Sequence, residues 1–295
     1  MTELLQSLMR GLGSGSVYAL LAIGFVIIYK SMRVISFAQP AFMLAGAVLV
    51  SYLVAAMDFF LAVALAVLIV ALLGMGVERA ALRPMIGKPV FVISIITLGV
   101  DIVIRNVVGR YIGLDIRQVG DPWGLRTTSL LGVDVQQRYV AMFVTTMVLV
   151  AVLFVFFRYS RTGLAMRATA ADQEVALAQG ISVGSVFALS WAIAAALAAI
   201  AGVFLSTGAG LDQNLWIIAL KALPVIILGG LDSLGGAVIG GLVVGVVEAL
   251  LGSYGDEVSP LLGGDFALVS PYIVMLLILL VRPYGLFGTR EVERV

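Results

Sequence analysis

The sequence predicts an all-α protein: a polytopic transmembrane helical bundle of eight to nine spans with a cytoplasmic coupling helix. Of the 295 residues, 62% are hydrophobic and only 12% are charged, whereas roughly 25% of residues are charged in an ordinary soluble domain. The charges cluster and leave apolar stretches near the roughly 20 residues that a helix needs to cross a bilayer. A soluble domain of this composition would expose large apolar patches and aggregate.

Charged residues separate the predicted spans along the chain. The spans are residues 10–30, 33–58, 58–78, 90–108, 138–158, 175–211, 217–231, 234–251 and 266–281. The seventh is short and contains Lys221 and Pro224, which predicts a half-helix that either crosses or re-enters the membrane and leaves the count at eight or nine. The N-terminal MTELLQSLMRGLGSGS, residues 1–16, is expected to form a short interfacial helix and not a cleaved signal peptide. We predict a single transmembrane domain over residues 1–295, with a cytoplasmic loop at 159–181 and an outer loop or small hairpin at 111–138.

Lysine and arginine set the predicted orientation, because short cytoplasmic loops are enriched in both. Alternate loops and the tail are basic, through Lys30 and Arg33, through Arg79, Arg83 and Lys88, through Arg158, Arg161 and Arg167, and through Arg282, Arg290 and Arg294. These segments are predicted to be cytoplasmic, which puts the N-terminus and the acidic loop at 253–265 outside. Residues 105–138 disagree with this scheme, because they hold five arginines, although Asp115, Asp121 and Asp134 offset them.

The composition argues against catalysis by this chain. It contains no Cys and no His, so disulfides, thiolate or imidazole metal sites and imidazole-activated nucleophiles are excluded. We therefore expect no catalytic residues, no metal site and no enzyme. No GxxxxGK[ST] motif occurs, so we expect no cofactor in this chain: if ATP drives the protein, another chain binds the ATP. The net charge of +1 gives no basic field for nucleic acid.

Residues 159–181, YSRTGLAMRATAADQEVALAQGI, are predicted to form an amphipathic helix of about four turns on the basic side of the membrane. Thr162 is the expected N-cap and Gly180 the expected end. Apolar residues recur at helical spacing, at Leu164, Ala168, Ala171, Val175 and Ala178. A stripe rich in alanine inserts poorly into lipid, so docking against another protein is favoured over lying on headgroups.

This segment resembles the cytoplasmic coupling loop of LivH-like permeases, the membrane subunits of ABC importers for branched-chain amino acids. The matching residues are Arg161, Gly163, Ala165, Arg167, Ala168, Asp172, Ala176, Gly180 and Ile181. Three further blocks of the chain are similar to the same family in the same order: residues 11–29, residues 221–250 and the closing LLVRPYGLFG at 279–288. The resemblance therefore covers nearly the whole chain.

The resemblance implies a machine of several chains in the bacterial cytoplasmic (inner) membrane. A paralogous permease subunit would complete the pathway, two cytoplasmic ATPase subunits would dock on the coupling helices, and an external binding protein would deliver the substrate. Whether the second permease is a paralogue or a second copy of this chain stays open. The residues expected to couple to the ATPases are Arg161, Thr162, Gly163, Arg167, Asp172 and Gly180.

One departure from the family pattern leaves the cargo open. Between the first two spans, family members carry N-F-A-H-G, whereas this chain has Ser36-Phe37-Ala38-Gln39-Pro40. Besides branched-chain or other hydrophobic amino acids, the cargo could be urea, a short amide or a small carboxylate. A secondary transporter driven by an ion gradient is a further alternative, although only a weak internal repeat supports it.

Polar residues inside the predicted spans are candidates for the substrate pathway, because charge in a membrane is expensive and usually functional. The candidates are Tyr18, Gln39, Asn106, Lys221 and Glu248. Each has a structural alternative: packing for Tyr18, for example, and an interfacial position for Glu248. Asp101 and Arg105 are four residues apart and are expected to pair on one helix face. A last set, Gly236, Gly240, Gly241 and Gly245, forms small-xxx-small pairs that predict close helix packing, with a pathway-lining role for their backbone as the alternative.

Overall fold

Helices make up most of the computed structural model, which describes residues 2–85, 88–113, 116–130, 132–208, 210–255 and 266–288. In chain order they are α1 (Thr2–Met32), α2 (Gln39–Leu53), α3 (Phe59–Val77), α4 (Val90–Gly109), α5 (Gln137–Tyr159), α6 (Arg161–Ala171), α7 (Gln173–Ala178), α8 (Val183–Ser206), α9 (Leu215–Leu220), α10 (Ala222–Gly229), α11 (Leu234–Ser253) and α12 (Phe266–Val281). A π-helical turn at Glu78–Leu82 and a 3-10 turn at Arg83–Met85 continue α3.

The described residues contain six helices long and apolar enough to cross a membrane, and three shorter apolar helices at Gln39–Leu53, Leu215–Gly229 and Phe266–Val281. This agrees with the predicted eight to nine spans. The short helix is interrupted at Lys221, which separates α9 from α10. One expectation is wrong: residues 2–16 do not form a separate interfacial helix but the first turns of the continuous α1. The acidic residues at 256–265 and the tail residues Arg290 and Arg294 lie outside the described residues.

The segment predicted to be an outer loop or a small hairpin contains a small hairpin. Strands β1 (Thr127–Leu130) and β2 (Val133–Gln136) pair antiparallel, with Thr127 opposite Gln136 and Ser129 opposite Asp134.

The chain divides into two compact units. The first comprises Met1–Val26, Trp123–Met147 and Leu220–Val295, and the second comprises Ile27–Pro122 and Val148–Ala219. The single permease domain over residues 1–295 stays a prediction.

Helix α2 is the core of the second unit. Most of its 15 residues are buried, as expected for a helix that is apolar on all sides and surrounded by others. It packs on α8 through small residues: a Cβ added at Gly46 would meet the Cα atom of Ala199 at 2.5 Å, and one at Gly202 would overlap the Met43 carbonyl. Trp191 of α8 closes this core, because its ring packs edge-on against Phe42 with centroids 6.1 Å apart.

Helix α3 shows how the second unit faces its surroundings. The side chain of Asp58 caps the helix by accepting a hydrogen bond from the Phe60 N–H at 3.0 Å. The buried residues recur every four positions, at Ala62, Ala66, Val70 and Gly74. Leucine and phenylalanine occupy much of the remaining surface and are largely exposed, the opposite of a soluble protein and the arrangement that a bilayer requires.

In the first unit, the glycines of α11 bring two helices into backbone contact with it. Gly240 faces α10, where an added Cβ would lie 2.8 Å from the Val225 carbonyl oxygen, and an added Cβ at Gly236 would overlap Gly229. Gly241 faces α1, where an added Cβ would lie 2.6 Å from the backbone nitrogen of Ala19, and one at Gly245 would overlap Gly15. The two small-xxx-small pairs therefore face two different neighbours.

Two glycines of α3 give a matched test of this packing. A Cβ at Gly74 would meet Ala195 Cβ and the Trp191 carbonyl oxygen at 2.7 Å, whereas one at Gly76 meets nothing within 4 Å. We expect Gly74→Ala to lower the free energy of unfolding by about 1–3 kcal/mol through overpacking. Gly76→Ala should leave it unchanged or raise it by up to about 1 kcal/mol, because alanine favours the helix. Denaturant unfolding of the purified chain in detergent, followed by circular dichroism, measures both, and equal effects would contradict the packing.

Candidate functional site

Three polar side chains that the sequence singled out meet inside the first unit. The Tyr18 hydroxyl, on α1, donates a hydrogen bond to Glu248 Oε2 on α11 at 2.8 Å. The Lys221 ammonium forms an ion pair with the other oxygen of the same carboxylate, Oε1. It also lies 5.9 Å from the centroid of the Tyr18 ring. We call Tyr18, Lys221 and Glu248 the polar cluster.

The local sequence explains how Lys221 comes to this position. Lys221 stands at the interruption between α9 and α10, and Pro224 lies in the first turn of α10, where its missing N–H costs no helical hydrogen bond. The side chains of Lys221 and Glu248 are only 10% and 18% exposed. Charges inside a membrane protein pair with one another because an unpaired charge there is expensive. The cluster is thus a compensated pair with a tyrosine hydroxyl on its free carboxylate oxygen.

Gln39 belongs to the second unit, where it begins α2. The connection before it is non-helical, and buried and half-buried residues alternate in it from Val34 to Ala38. Side chains accept two of its backbone N–H groups: Thr97 accepts from the Phe37 N–H at 2.9 Å, and Ser36 accepts from the Ala38 N–H at 3.3 Å. Gln39 itself is fully buried. Within the described part of the chain, neither its amide oxygen nor its amide nitrogen has a hydrogen-bond partner. A buried side-chain amide without any hydrogen-bond partner is rare in folded proteins and is therefore a candidate functional group.

Asn106 lies on α4 beside the expected pair of Asp101 and Arg105, which forms at 2.7 Å. The Arg105 guanidinium also lies over the ring of Trp216, 4.0 Å from its centroid. These residues border an open cleft of about 370 Å³ in the second unit. The residues that line it are Leu44, Arg105, Asn106, Gly109, Arg110, Gln213 and Trp216. We call it the α4 cleft.

The predicted coupling segment folds differently from the expectation. Residues 161–178 form two helices and not one, because the extended backbone of Asp172 ends α6 and its side chain caps α7 by accepting from the Val175 N–H at 3.0 Å. Thr162 is not the cap. Ser160 is, and its hydroxyl accepts from the Gly163 N–H at 2.8 Å. Gly180, with φ of +80°, follows the end of α7.

The predicted apolar stripe is not the face that packs inside this chain. Leu164 and Val175 are 59% and 56% exposed, while Met166, Thr169 and Ala176 are buried. Gly163 packs against the backbone of Phe156 and Phe157 with no room for a Cβ, and the Gln173 amide donates to the Ser31 carbonyl oxygen at 3.1 Å. The i, i+3 spacing of Gly163, Met166 and Thr169 is the signal that the sequence offered for this buried face. Arg161, Thr162 and Arg167 lie on the exposed side.

The described residues hold no group of three or more His, Cys, Asp or Glu side chains that could bind a metal ion. Four charged side chains in the spans form ion pairs, Asp101 with Arg105 and Lys221 with Glu248. Apolar membrane helices, a broken half-helix and polar side chains at depth define an integral membrane transport protein. The chain belongs to the family described as branched-chain amino acid transport system permease component, which it matches over residues 7–281. It is accordingly a multi-pass protein of the cytoplasmic (inner) membrane and a transport component.

Individual members of this family are similar in sequence to this chain over nearly their full lengths. The chain is 32% identical to the high-affinity branched-chain amino acid transport system permease protein LivH of Salmonella typhimurium, over 99% of this chain and 97% of that protein. It is also 32% identical to BraD of Pseudomonas aeruginosa, over 99% and 98%. The structure of PsaBC from Streptococcus pneumoniae in complex with Fab has the same fold, with a TM-score of 0.51 and 14% identity over 96% of this chain and 93% of that chain.

Removing one charge of the polar cluster should lower the free energy of unfolding more than removing both charges does. We expect Glu248→Leu or Lys221→Met alone to lower the free energy of unfolding by about 3–5 kcal/mol, because each leaves a buried charge without its partner. The double variant should recover most of that loss. Tyr18→Phe removes one hydrogen bond to a charged group and should cost about 1.5–3 kcal/mol. Unfolding of the four variants in detergent gives the coupling energy, and a double variant as unstable as the sum of the singles would contradict the pair.

Proposed function

We propose that this chain is the permease subunit of an ATP-driven importer whose cargo is a branched-chain or another hydrophobic amino acid. The observation that carries the proposal is the similarity, over 99% of the chain, to permeases named for branched-chain amino acid transport. In this proposal the chain performs no catalysis and binds no cofactor of its own. Two cytoplasmic ATPases bind the ATP, a second permease subunit completes the pathway, and an external protein delivers the amino acid.

The geometry of α6 and α7 supports the proposed coupling to an ATPase. The segment lies between two membrane helices, and its buried face is fixed to the second unit through Met166, Thr169 and Ala176. The opposite face leaves Leu164, Val175 and Leu177 more than half exposed, together with the cations Arg161 and Arg167. A rigid segment that exposes apolar side chains ringed by charge is suited to dock on another protein, since such a patch is rarely left open in water.

The proposed pathway runs near the polar side chains inside the spans. Tyr18, Lys221 and Glu248 form one polar centre, and Gln39 and Asn106 are the candidates in the second unit. Each of these side chains can exchange a hydrogen bond with a polar solute. Their roles in transport are part of the proposal, and so is the role of Gly236, Gly240, Gly241 and Gly245 in holding α11 against its neighbours.

Uptake of radiolabelled leucine by the complete transporter in proteoliposomes tests the proposal. We expect uptake that requires ATP on the ATPase side and the binding protein on the other. Leucine, isoleucine and valine should compete for uptake, and urea, acetamide and small carboxylates should not. Leucine uptake by this chain alone, driven by a sodium or proton gradient, would show a secondary transporter instead.

Coupling through α6 and α7 predicts a distinct pattern among variants. Leu164→Glu and Arg167→Glu change only the exposed face, and we expect each to reduce leucine uptake and ATPase stimulation by about tenfold or more, as loss of a desolvated interface contact does. Asp172→Asn separates the charge of this residue from its capping role, because asparagine also caps a helix, whereas Asp172→Ala loses about 1 kcal/mol of capping. ATP turnover of the reconstituted complex with and without loaded binding protein is the measurement. Full stimulation in both face variants would contradict docking at this face.

A further inference from the structure

The α4 cleft opens at one end of the second unit and extends into it. Tyr52, near the end of α2, donates a hydrogen bond to the Tyr111 carbonyl oxygen just after α4, at 2.9 Å, so both helices end on the same side. The distribution of basic loops predicts that side to be the outer one. Arg110 lies at the mouth of the cleft, and Leu44 lies deeper, since the remainder of α2 beyond it spans about 13 Å at a helical rise of about 1.5 Å per residue.

The cleft offers cationic donors that are held in place. Both Nε and Nη2 of Arg105 contact the same Asp101 oxygen, Oδ2, at 2.7 Å, and the Trp216 ring covers one face of the guanidinium. This leaves Nη1 of Arg105 for another acceptor. Arg110 makes no ion pair with any residue in the described ranges. Two guanidinium groups at one cleft are the donor set that proteins use for carboxylates.

The same cleft offers neutral acceptors. The Asn106 amide nitrogen donates to the Ile102 carbonyl oxygen at 2.7 Å, and the Gln213 amide nitrogen donates to the Gly113 carbonyl oxygen at 2.6 Å. Each bond holds its amide group in place and uses one of its two N–H donors. The side-chain oxygens Oδ1 of Asn106 and Oε1 of Gln213 are left as acceptors, which suits a donor such as an ammonium group.

The remaining walls are apolar and leave space. Leu44 is almost fully buried, and the indole of Trp216 lines the cleft beside it. Gly109 adds no side chain, and a Cβ there would meet nothing within 4 Å. The cleft volume of about 370 Å³ is near the lower end of the roughly 300–1,000 Å³ that small-molecule sites have.

We propose that the α4 cleft binds the cargo amino acid as a zwitterion. The carboxylate accepts hydrogen bonds from Arg105 and Arg110, the ammonium donates to the oxygens of Asn106 and Gln213, and the branched side chain packs against Leu44 and Trp216. This assignment rests on the proposed function, from which it takes the cargo class. It makes the carboxylate indispensable, because the two arginines repel a ligand that carries an ammonium group alone.

Photolabelling of the full-length chain in lipid nanodiscs with a diazirine analogue of leucine tests the site. We expect the label on residues that line the α4 cleft, displaced by excess leucine and not by leucinamide, which lacks the carboxylate. Arg110→Gln should weaken displacement by leucine about tenfold, the loss of one charge-assisted hydrogen bond. If 4-methylpentanoate, which lacks the ammonium, displaces the label as well as leucine does, the amino-acid assignment is overturned.

A pair of glycines in the same helix provides the structural control. Gly109 lines the cleft, Gly99 lies on an exposed face of α4, and an added Cβ meets nothing within 4 Å at either position. We expect Gly109→Leu to fill the cleft and reduce labelling at least tenfold, while Gly99→Leu labels like the wild type. Equal thermal stability of the two variants in detergent confirms that both fold, and equal labelling of the two overturns the proposal.

Leucine uptake by the complete transporter separates this inference from the function on which it rests. If the wild-type complex imports leucine and Gly109→Leu does so with an unchanged half-saturating concentration, the cleft assignment fails and the permease function stands. If the wild-type complex imports no leucine and the cleft is not labelled, both fail together. Uptake that falls in Gly109→Leu and not in Gly99→Leu, with the label in the cleft, supports both.

Discussion

The apolar solvent around the spans imposes the constraint on which the rest of this structure depends: every charge at depth needs a partner within the protein. The three ion pairs among the described residues each neutralise a largely buried carboxylate. Glu78, fully buried, is held by Arg83 through two hydrogen bonds of 3.0 and 3.2 Å. Asp101 holds Arg105 within one helix, and Glu248 holds Lys221 across two. Within the described residues, Asp101 with Arg105 and Lys221 with Glu248 thus enter the spans as neutral pairs.

The second consequence of that solvent is the use of glycine and alanine at helix contacts. Lipid is as apolar as leucine, so burying leucine between helices supplies little driving force, and close backbone approach takes its place. The contacts of Gly46 with Ala199 and of Gly241 with Ala19 are examples in the two units. Large apolar residues are left for the lipid-facing surface of helices such as α3. The pattern accounts for a chain in which 62% of residues are hydrophobic and 33 are glycine.

The sequence predicted the structural features that depend on the length and hydropathy of its segments. Its predictions were wrong where a few local hydrogen bonds determine how helices begin and end. The spans, the broken half-helix at Lys221 and the Asp101–Arg105 pair follow from residue spacing alone. The pairing of Lys221 with Glu248 joins residues that are 27 apart, and no periodic pattern reveals it. In the coupling segment, an alanine-rich stretch gives nearly the same stripe for several helix rotations, so the caps at Ser160 and Asp172 and the tight position of Gly163 set the buried face. The α4 cleft is formed by residues from α2, α4 and the start of α9, which only the folded chain brings together.

Gln39 bears on the equilibrium between conformations as well as on the packing of this one. A buried amide without a partner raises the free energy of the conformation that contains it by about 1–3 kcal/mol. A conformation that supplies a partner is favoured by the same amount, and such a difference changes a population ratio by roughly 5- to 150-fold. The unpaired amide at the start of α2 therefore weakens the preference for the conformation described relative to any conformation in which Gln39 finds a partner.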